Sequence, residues 1–250
     1  MQHRFIIIGA TGYAGSAVVS YLCDKKIETI AHIRPDSSNL EKAKKRFSHL
    51  GAKIDTTEWS ASAFREMLLQ HQPTHVFSML GTTQARAKKD AKSGKDSTYE
   101  HVDRDLSLLL LHALEDIAPK LAEQHNQPPR YLFLSSIGVV DDTKNRYLRA
   151  RADVEREVRQ ANIPWIIAQP SFISGPDRPE SRPLERFGSI VVDAITATLS
   201  IVGIKGPYQK YGTLSAAQLA AGLVELSLDE TCYNKTLDTT AIRPRIPSGI

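Results

Sequence analysis

Three glycines, Gly9, Gly12 and Gly15, follow a short apolar run from Phe5 to Ile8 and open a helical pattern. A strand, a glycine loop and a helix start, in that order, make a seat for a dinucleotide pyrophosphate. Free backbone N–H groups and the positive end of the helix dipole meet the anion there. Glycine is needed because the backbone must turn tightly and come close to the phosphates. The loop Gly9-Ala10-Thr11-Gly12-Tyr13-Ala14-Gly15 has only eight residues ahead of it, which suits a first strand and a first helix. The second apolar run ends in Ala31-His32-Ile33-Arg34-Pro35. An acidic side chain at that place would accept from an adenosine 2′-hydroxyl. Arg34 is placed instead to meet a 2′-phosphate. A charged hydrogen bond of about 1.5–3 kcal/mol is roughly a ten- to hundredfold preference for NADP(H) over NAD(H). Asp36 competes for the position but follows a proline that turns it away.

A second group of residues lies further along. Ser135 and Ser136 end a strand-like run, and Tyr147 and Arg151 follow on a helical pattern. Residues four apart share a helix face, and Val154 and Val158 continue that face inward. An arginine on a buried face must have a partner. A cofactor ribose, the Tyr147 oxygen or a substrate anion would each serve. The alternative is a first-turn arginine that snorkels to solvent.

These residues need elements to hold them. Apolar runs alternate with helical patterns along the chain. Strands are expected at 5–8, 27–33, 53–55, 74–80, 131–136 and 164–169. Helices are expected at 13–24, 38–50, 61–70, 98–124 and 145–161, with Pro119 breaking or kinking the long one. Such alternation means βαβ units around a parallel sheet. Near-continuous apolar strands such as Tyr131-Leu132-Phe133-Leu134 are those of a sheet covered on both faces. The fold class is therefore α/β, a doubly wound parallel sheet. Residues 1–170 form the dinucleotide-binding domain, and 171–250 form a small C-terminal lobe packed on it. The stretch Ala85–Ser97 reads as a solvated loop or as a basic lid beside a ligand. Arg178, Arg182 and Arg186 recur at spacing four. They read as a solvated stripe paired with Glu180 and Glu185, or as an anion site.

Composition narrows the class. At 250 residues, with 41% hydrophobic and 24% charged residues, the chain can build a large core. Cys23 and Cys232 are the only cysteines, too few for a disulfide framework or a zinc site. The eight histidines show no ligand spacing, so no metal is expected. A net charge of +4 without a basic patch argues against nucleic acid. No apolar stretch approaches a membrane span or a secretory signal. The expectation is a cytoplasmic protein, with a homodimer as its possible assembly.

The glycine start, the Ser-Ser strand end and the Tyr-x-x-x-basic helix together resemble an atypical or extended short-chain dehydrogenase/reductase. Leu80-Gly81-Thr82-Thr83, Val102-Asp103-Arg104-Asp105, Tyr147-Leu148 and Glu180-Ser181-Arg182-Pro183-x-Glu185 resemble the Tat-interacting-protein oxidoreductase family and its bacterial relatives. The similarity covers about residues 4 to 190. The resemblance implies that Tyr147 moves the proton while a hydride crosses to or from nicotinamide. It implies that Ser136 orients the substrate oxygen, with Ser135 in its place if the register slips by one. Arg151 stands where such enzymes have lysine, to hold the nicotinamide ribose and favour the phenolate. Gly81, Thr82 and Thr83 would meet the cofactor on its ribose and nicotinamide side, and Pro170 and Ser171 would meet the carboxamide. Gln169 departs from the arginine usual before that proline. The function implied is an NADP-dependent oxidoreductase acting on a small carbonyl or alcohol. Arginine cannot release a proton, so the rival function is an NADPH-binding regulatory or sensor protein with little turnover. A scaffold subunit is a third.

Overall fold

The computed structural model describes residues 2–174 and 212–243. Among the described residues the strands are β1 (Arg4–Ile8), β2 (Glu28–His32), β3 (Lys53–Asp55), β4 (His75–Ser78), β5 (Arg130–Leu134), β6 (Trp165–Gln169), β7 (Ile173–Ser174), β8 (Leu214–Ser215) and β9 (Lys235–Asp238). The helices are α1 (Tyr13–Asp24), α2 (Leu40–His49), α3 (Ala61–His71), α4 (Gln84–Ala91), α5 (Leu106–His125), α6 (Arg146–Gln160), α7 (Ala216–Leu228) and α8 (Thr239–Ile242). A π-helical stretch, Tyr99–Asp105, leads into α5.

Seven strands form one sheet in the order β3-β2-β1-β4-β5-β6-β9, and β7 pairs with β8 separately. Every pairing in the large sheet is parallel. Parallel strands need crossovers, and the helices that supply them cover both faces. Successive residues of a strand point to opposite faces, so β1 feeds two cores. Phe5 and Ile7 pack with Val18 and Leu22 of α1 and with Leu219 and Leu223 of α7. Ile6 and Ile8 pack with Phe64 of α3, Leu110 and Leu114 of α5 and Val154 of α6. Full burial of each such side chain is worth about 1.5–3 kcal/mol. The strand order turns back between β1 and β4, which opens a crevice above their carboxyl ends.

Several sequence expectations change. Pro119 lies inside a continuous α5, because the helix is held by its apolar face against the sheet. The long helix starts as a π-helix rather than at residue 98. The stretch Ala85–Ser97 is not simply loop: Thr83 caps α4, accepting from the Arg86 N–H at 3.1 Å. The described C-terminal residues join the main domain. α7 lies against α1, and against α8 so closely that a side chain at Gly222 would collide with the Ile242 carbonyl. β9 extends the sheet at its β6 edge. That strand, Lys-Thr-Leu-Asp, has a single large apolar residue and gives little periodicity to read.

At the opposite end of the sheet, the His75 ring lies flat on Phe5, with centroids 4.2 Å apart. Burial above all, then the charge of Arg130, pushes its pKa down to about 3. An unfolded chain takes up that proton near pH 6.5. Stability from this site is therefore complete above pH 6.5 and is lost as pH falls toward 3, by on the order of 4 kcal/mol. His75→Phe keeps the stack and removes the titration. Its urea midpoint is expected to fall less steeply than the wild type's between pH 6.5 and 4, and equal slopes would refute this.

Candidate functional site

Above β1, β2 and β4 lies a cleft of about 620 Å³, counting the space at its open mouth. Gly9, Thr11 and Gly12 line it, with His32, Arg34, Trp59, Gly81 and Arg86. Gly9 has φ +86°, and a Cβ there would lie 2.7 Å from the Met79 carbonyl oxygen. Only glycine allows that turn and that closeness. The Gly12 N–H donates to the Gly9 carbonyl at 3.0 Å. Gly12 is also the N-cap of α1, and no side chain caps the helix. An anion can take the place a capping side chain would have. Gly15 is different. It is buried in α1, where a Cβ would collide with the Gly9 carbonyl. Its part is to let α1 pack against the loop, and neither it nor Tyr13 lines the cleft.

At the end of β2 the Arg34 Nη1 is 3.6 Å from Asp36 Oδ1. Asp36 is drawn to Lys95, whose Nζ donates to Oδ2 at 2.9 Å. Lys95 and then Arg34 outweigh partial burial and hold the Asp36 carboxyl below its usual range. Arg86 reaches the same cleft from α4. The sequence reading missed Arg86. The only signal was the basic stretch it begins, and its placement depends on the Thr83 cap.

On the far side of Gly81 is a buried ion pair, Arg151 with Asp103. Arg151 is 4% exposed. Its Nη1 donates to the Leu134 carbonyl at 2.7 Å, and its Nη2 donates to the Leu80 carbonyl at 2.8 Å and to Asp103 Oδ1 at 2.7 Å. Asp103, 0% exposed, also accepts the Thr82 N–H at 3.0 Å. Burial alone lowers the Arg151 pKa, but Asp103 and then Tyr147 more than restore it, so the net shift is upward. The guanidinium lies 5.4 Å from the centre of the Tyr147 ring. Asn145 caps α6 and fixes the Tyr147 backbone, accepting its N–H at 2.9 Å. On its other side the Tyr147 ring meets Tyr99, with centroids 5.3 Å apart.

The remaining residues sort themselves by their partners. Ser135 is buried and donates to Glu155 at 2.5 Å. Gln169 donates to both Glu155 oxygens, at 2.9 and 3.1 Å, and Arg159 donates to Oε2. Ser135 therefore faces a buried polar cluster. Ser136 is half-exposed and makes one long bond, 3.3 Å, to the Ile137 carbonyl. Of the two serines, Ser136 is the one with a hydroxyl at the surface. Thr82, Thr83, Pro170 and Ser171 do not line the cleft. The Thr83 hydroxyl is used as the α4 cap, and Ser171 Oγ donates to the Gly212 carbonyl at 2.7 Å. Arg178, Arg182, Arg186, Glu180 and Glu185 lie outside the described residues. Among the described residues no cluster of His, Cys, Asp and Glu is placed to hold a metal. No described helix is long and apolar enough to cross a membrane.

Removing Arg151 leaves Asp103 buried and without its counter-charge. Breaking such a pair costs about 3–5 kcal/mol. Arg151→Met is therefore expected to lower the urea midpoint strongly, and the double variant Arg151→Met, Asp103→Asn by less than the sum of the two single changes. Additive losses would show that the two groups are not coupled.

Comparisons with known proteins agree with this geometry. The chain is 27% identical over 229 residues to the Aspergillus terreus protein fmp52-1, mitochondrial, covering 89% of this chain and 88% of that one. It is 27% identical over 196 residues to the Coccidioides immitis protein FMP52, mitochondrial, covering 75% and 72%. Acetoin dehydrogenase from Enterobacter cloacae has the same fold, with a TM-score of 0.60 at 13% identity over 95% of this chain and 93% of that one. So does an actinorhodin polyketide ketoreductase solved with NADPH, with a TM-score of 0.64 at 12% identity over 94% and 95%. The mitochondrial relatives overturn the cytoplasmic expectation. A low cysteine count separates reducing from oxidising surroundings and does not single out the cytosol. Residues 5–213 match the NAD dependent epimerase/dehydratase family, and the chain belongs to that family.

Proposed function

We propose that the protein is an NADP-dependent oxidoreductase of the short-chain dehydrogenase/reductase type, in the branch resembling the Tat-interacting-protein oxidoreductases. Its reaction moves a hydride between NADP(H) and a small carbonyl or alcohol. The observation that carries this is the pairing of two guanidiniums, Arg34 and Arg86, with the glycine loop in one cleft. A dinucleotide carries a pyrophosphate and, in NADP, a 2′-phosphate; the glycine loop suits the first and the two guanidiniums suit the second. The residues fit the group: the Gly9 turn admits no side chain and the start of α1 has no side-chain cap.

When bound, the nicotinamide supplies or accepts the hydride. The chain's own part is the proton. Tyr147 Oη holds it, on a ring that lies beside the Arg151 guanidinium. Ser136 Oγ orients the substrate oxygen. Arg151 acts here by holding Tyr147 and the strand ends, since its hydrogen bonds run to Leu80, Leu134 and Asp103. Those same bonds favour a second reading, an NADPH sensor with little turnover, because they give this guanidinium a structural part in place of the lysine usual in such enzymes.

Arg34→Ala is expected to weaken NADPH about ten- to hundredfold and NADH little, as calorimetry would show. Equal wild-type affinities for the two would remove the 2′-phosphate assignment. Tyr147→Phe is expected to keep NADPH binding and lower reduction of aldehydes and ketones by roughly 10²–10⁴. An unchanged rate would take the proton role from Tyr147, and tight binding without wild-type turnover would establish the sensor.

A further inference from the structure

Two buried polar atoms of the cleft have no hydrogen-bond partner: His32 Nδ1 and Trp59 Nε1. Leaving such an atom unmatched costs about 1–3 kcal/mol, and two of them on residues that line one cleft ask for a ligand. Their chemistry is defined. His32 Nε2 is 2.9 Å from the Thr57 carbonyl oxygen. A carbonyl only accepts, so Nε2 carries the hydrogen and Nδ1 presents a lone pair. Burial first, with Arg34 adding to it, pushes the His32 pKa down against the opposing Thr57 bond and Asp55, which keeps the ring neutral. The Trp59 indole N–H can only donate. The two rings stand 5.3 Å apart at 84°, and Phe64 packs on both. One acceptor and one donor are thus carried on two packed rings that line one cleft.

Their position says which part of a dinucleotide they meet. His32 ends β2, and Arg34 is two residues on, so extended chain puts both on the same face while Ile33 turns into the core. Arg34 marks the 2′-phosphate of the adenosine ribose, and the base of that same nucleoside is next to it.

We propose that His32 and Trp59 read the adenine base, His32 Nδ1 accepting from the exocyclic amino group and Trp59 Nε1 donating to the ring nitrogen beside it. This rests on the dinucleotide reading above. It assigns base specificity to two side chains, against any base with a carbonyl at that position. Hypoxanthine reverses both partners of the N1 edge: its carbonyl oxygen would face the His32 lone pair, and its ring N–H would face the indole N–H.

The test is calorimetric titration of the full chain with NADPH and with nicotinamide hypoxanthine dinucleotide phosphate, reduced form. The hypoxanthine analogue is expected to bind at least about tenfold more weakly. Trp59→Phe keeps the ring contacts and loses only the donor. It is expected to weaken NADPH about tenfold and to narrow the gap between the two dinucleotides. His32→Phe should do the same if thermal unfolding shows it folded. If it does not fold, Trp59→Phe and the analogue decide the matter. Tight NADPH binding, lost in Arg34→Ala, with equal affinity for the analogue and no effect of Trp59→Phe, would overturn the base reading alone. No NADPH binding by the wild type would overturn the dinucleotide reading and this one with it.

Discussion

A guanidinium taken out of water keeps its charge only if acceptors surround it and a counter-charge lies beside it, because desolvation of an ion costs several kcal/mol. Arg151 meets that condition by gathering three separate segments. The Leu80 carbonyl comes from the turn after β4, the Leu134 carbonyl from the last residue of β5, and the Asp103 carboxylate from the π-helix. None of the three is near another in sequence. Asp103 passes the restraint on by taking the Thr82 N–H. The mouth of the sheet between β4 and β5 is therefore set by a planar fork of donors. A lysine would bring one point charge to the same place, with no fixed fork to span two carbonyls and a carboxylate. The Tyr147 ring rests beside this assembly and takes its place from it.

The π-helix is part of the same arrangement. Its wider turn lets Asp103 point at Arg151 while Leu106 and Leu110, just beyond, face the core. Gly81 lies between this clamp and the cleft, and a Cβ on it would come 3.0 Å from Arg151 Nη2. One glycine separates the Arg151 cation from the cleft. The cleft brings together the Gly12 turn, the rings of His32 and Trp59, and the charges of Arg34 and Arg86.

Much of this was legible in the residues. The glycine spacing placed the loop because a tight turn and a close helix leave no alternative to glycine. Apolar runs placed β1, β5 and β6 most directly, because strands buried on both faces carry few polar residues to blur them. Arg151 was read as needing a partner, but its partners could not be read. Two are backbone carbonyls with no side-chain signature, and Asp103 is a single acidic residue in a charged stretch. Ser135 and Ser136 were open alternatives until the Glu155 cluster, assembled from α6 and β6, claimed the first. Arg86 and Trp59 were invisible because they reach the cleft from elements far apart in sequence. The edge strand β9 has too few apolar residues to announce itself.

Helix α4 carries a different kind of consequence. It buries no residue of its own. What ties its segment down is a set of polar contacts: Arg86 to Asp90, Lys95 to Asp36 and Ser97 to Asp90. Exposed ion pairs contribute about 0.2–1 kcal/mol each, against the many apolar contacts of the sheet. This rim therefore belongs to the low-stability end of the molecule and opens by local unfolding, independently of the core. Its amides exchange with solvent long before those of β1 or β4. Because surface charges are screened over about 8 Å at physiological ionic strength, the rate of that opening follows the ionic strength of the surroundings, and the core does not.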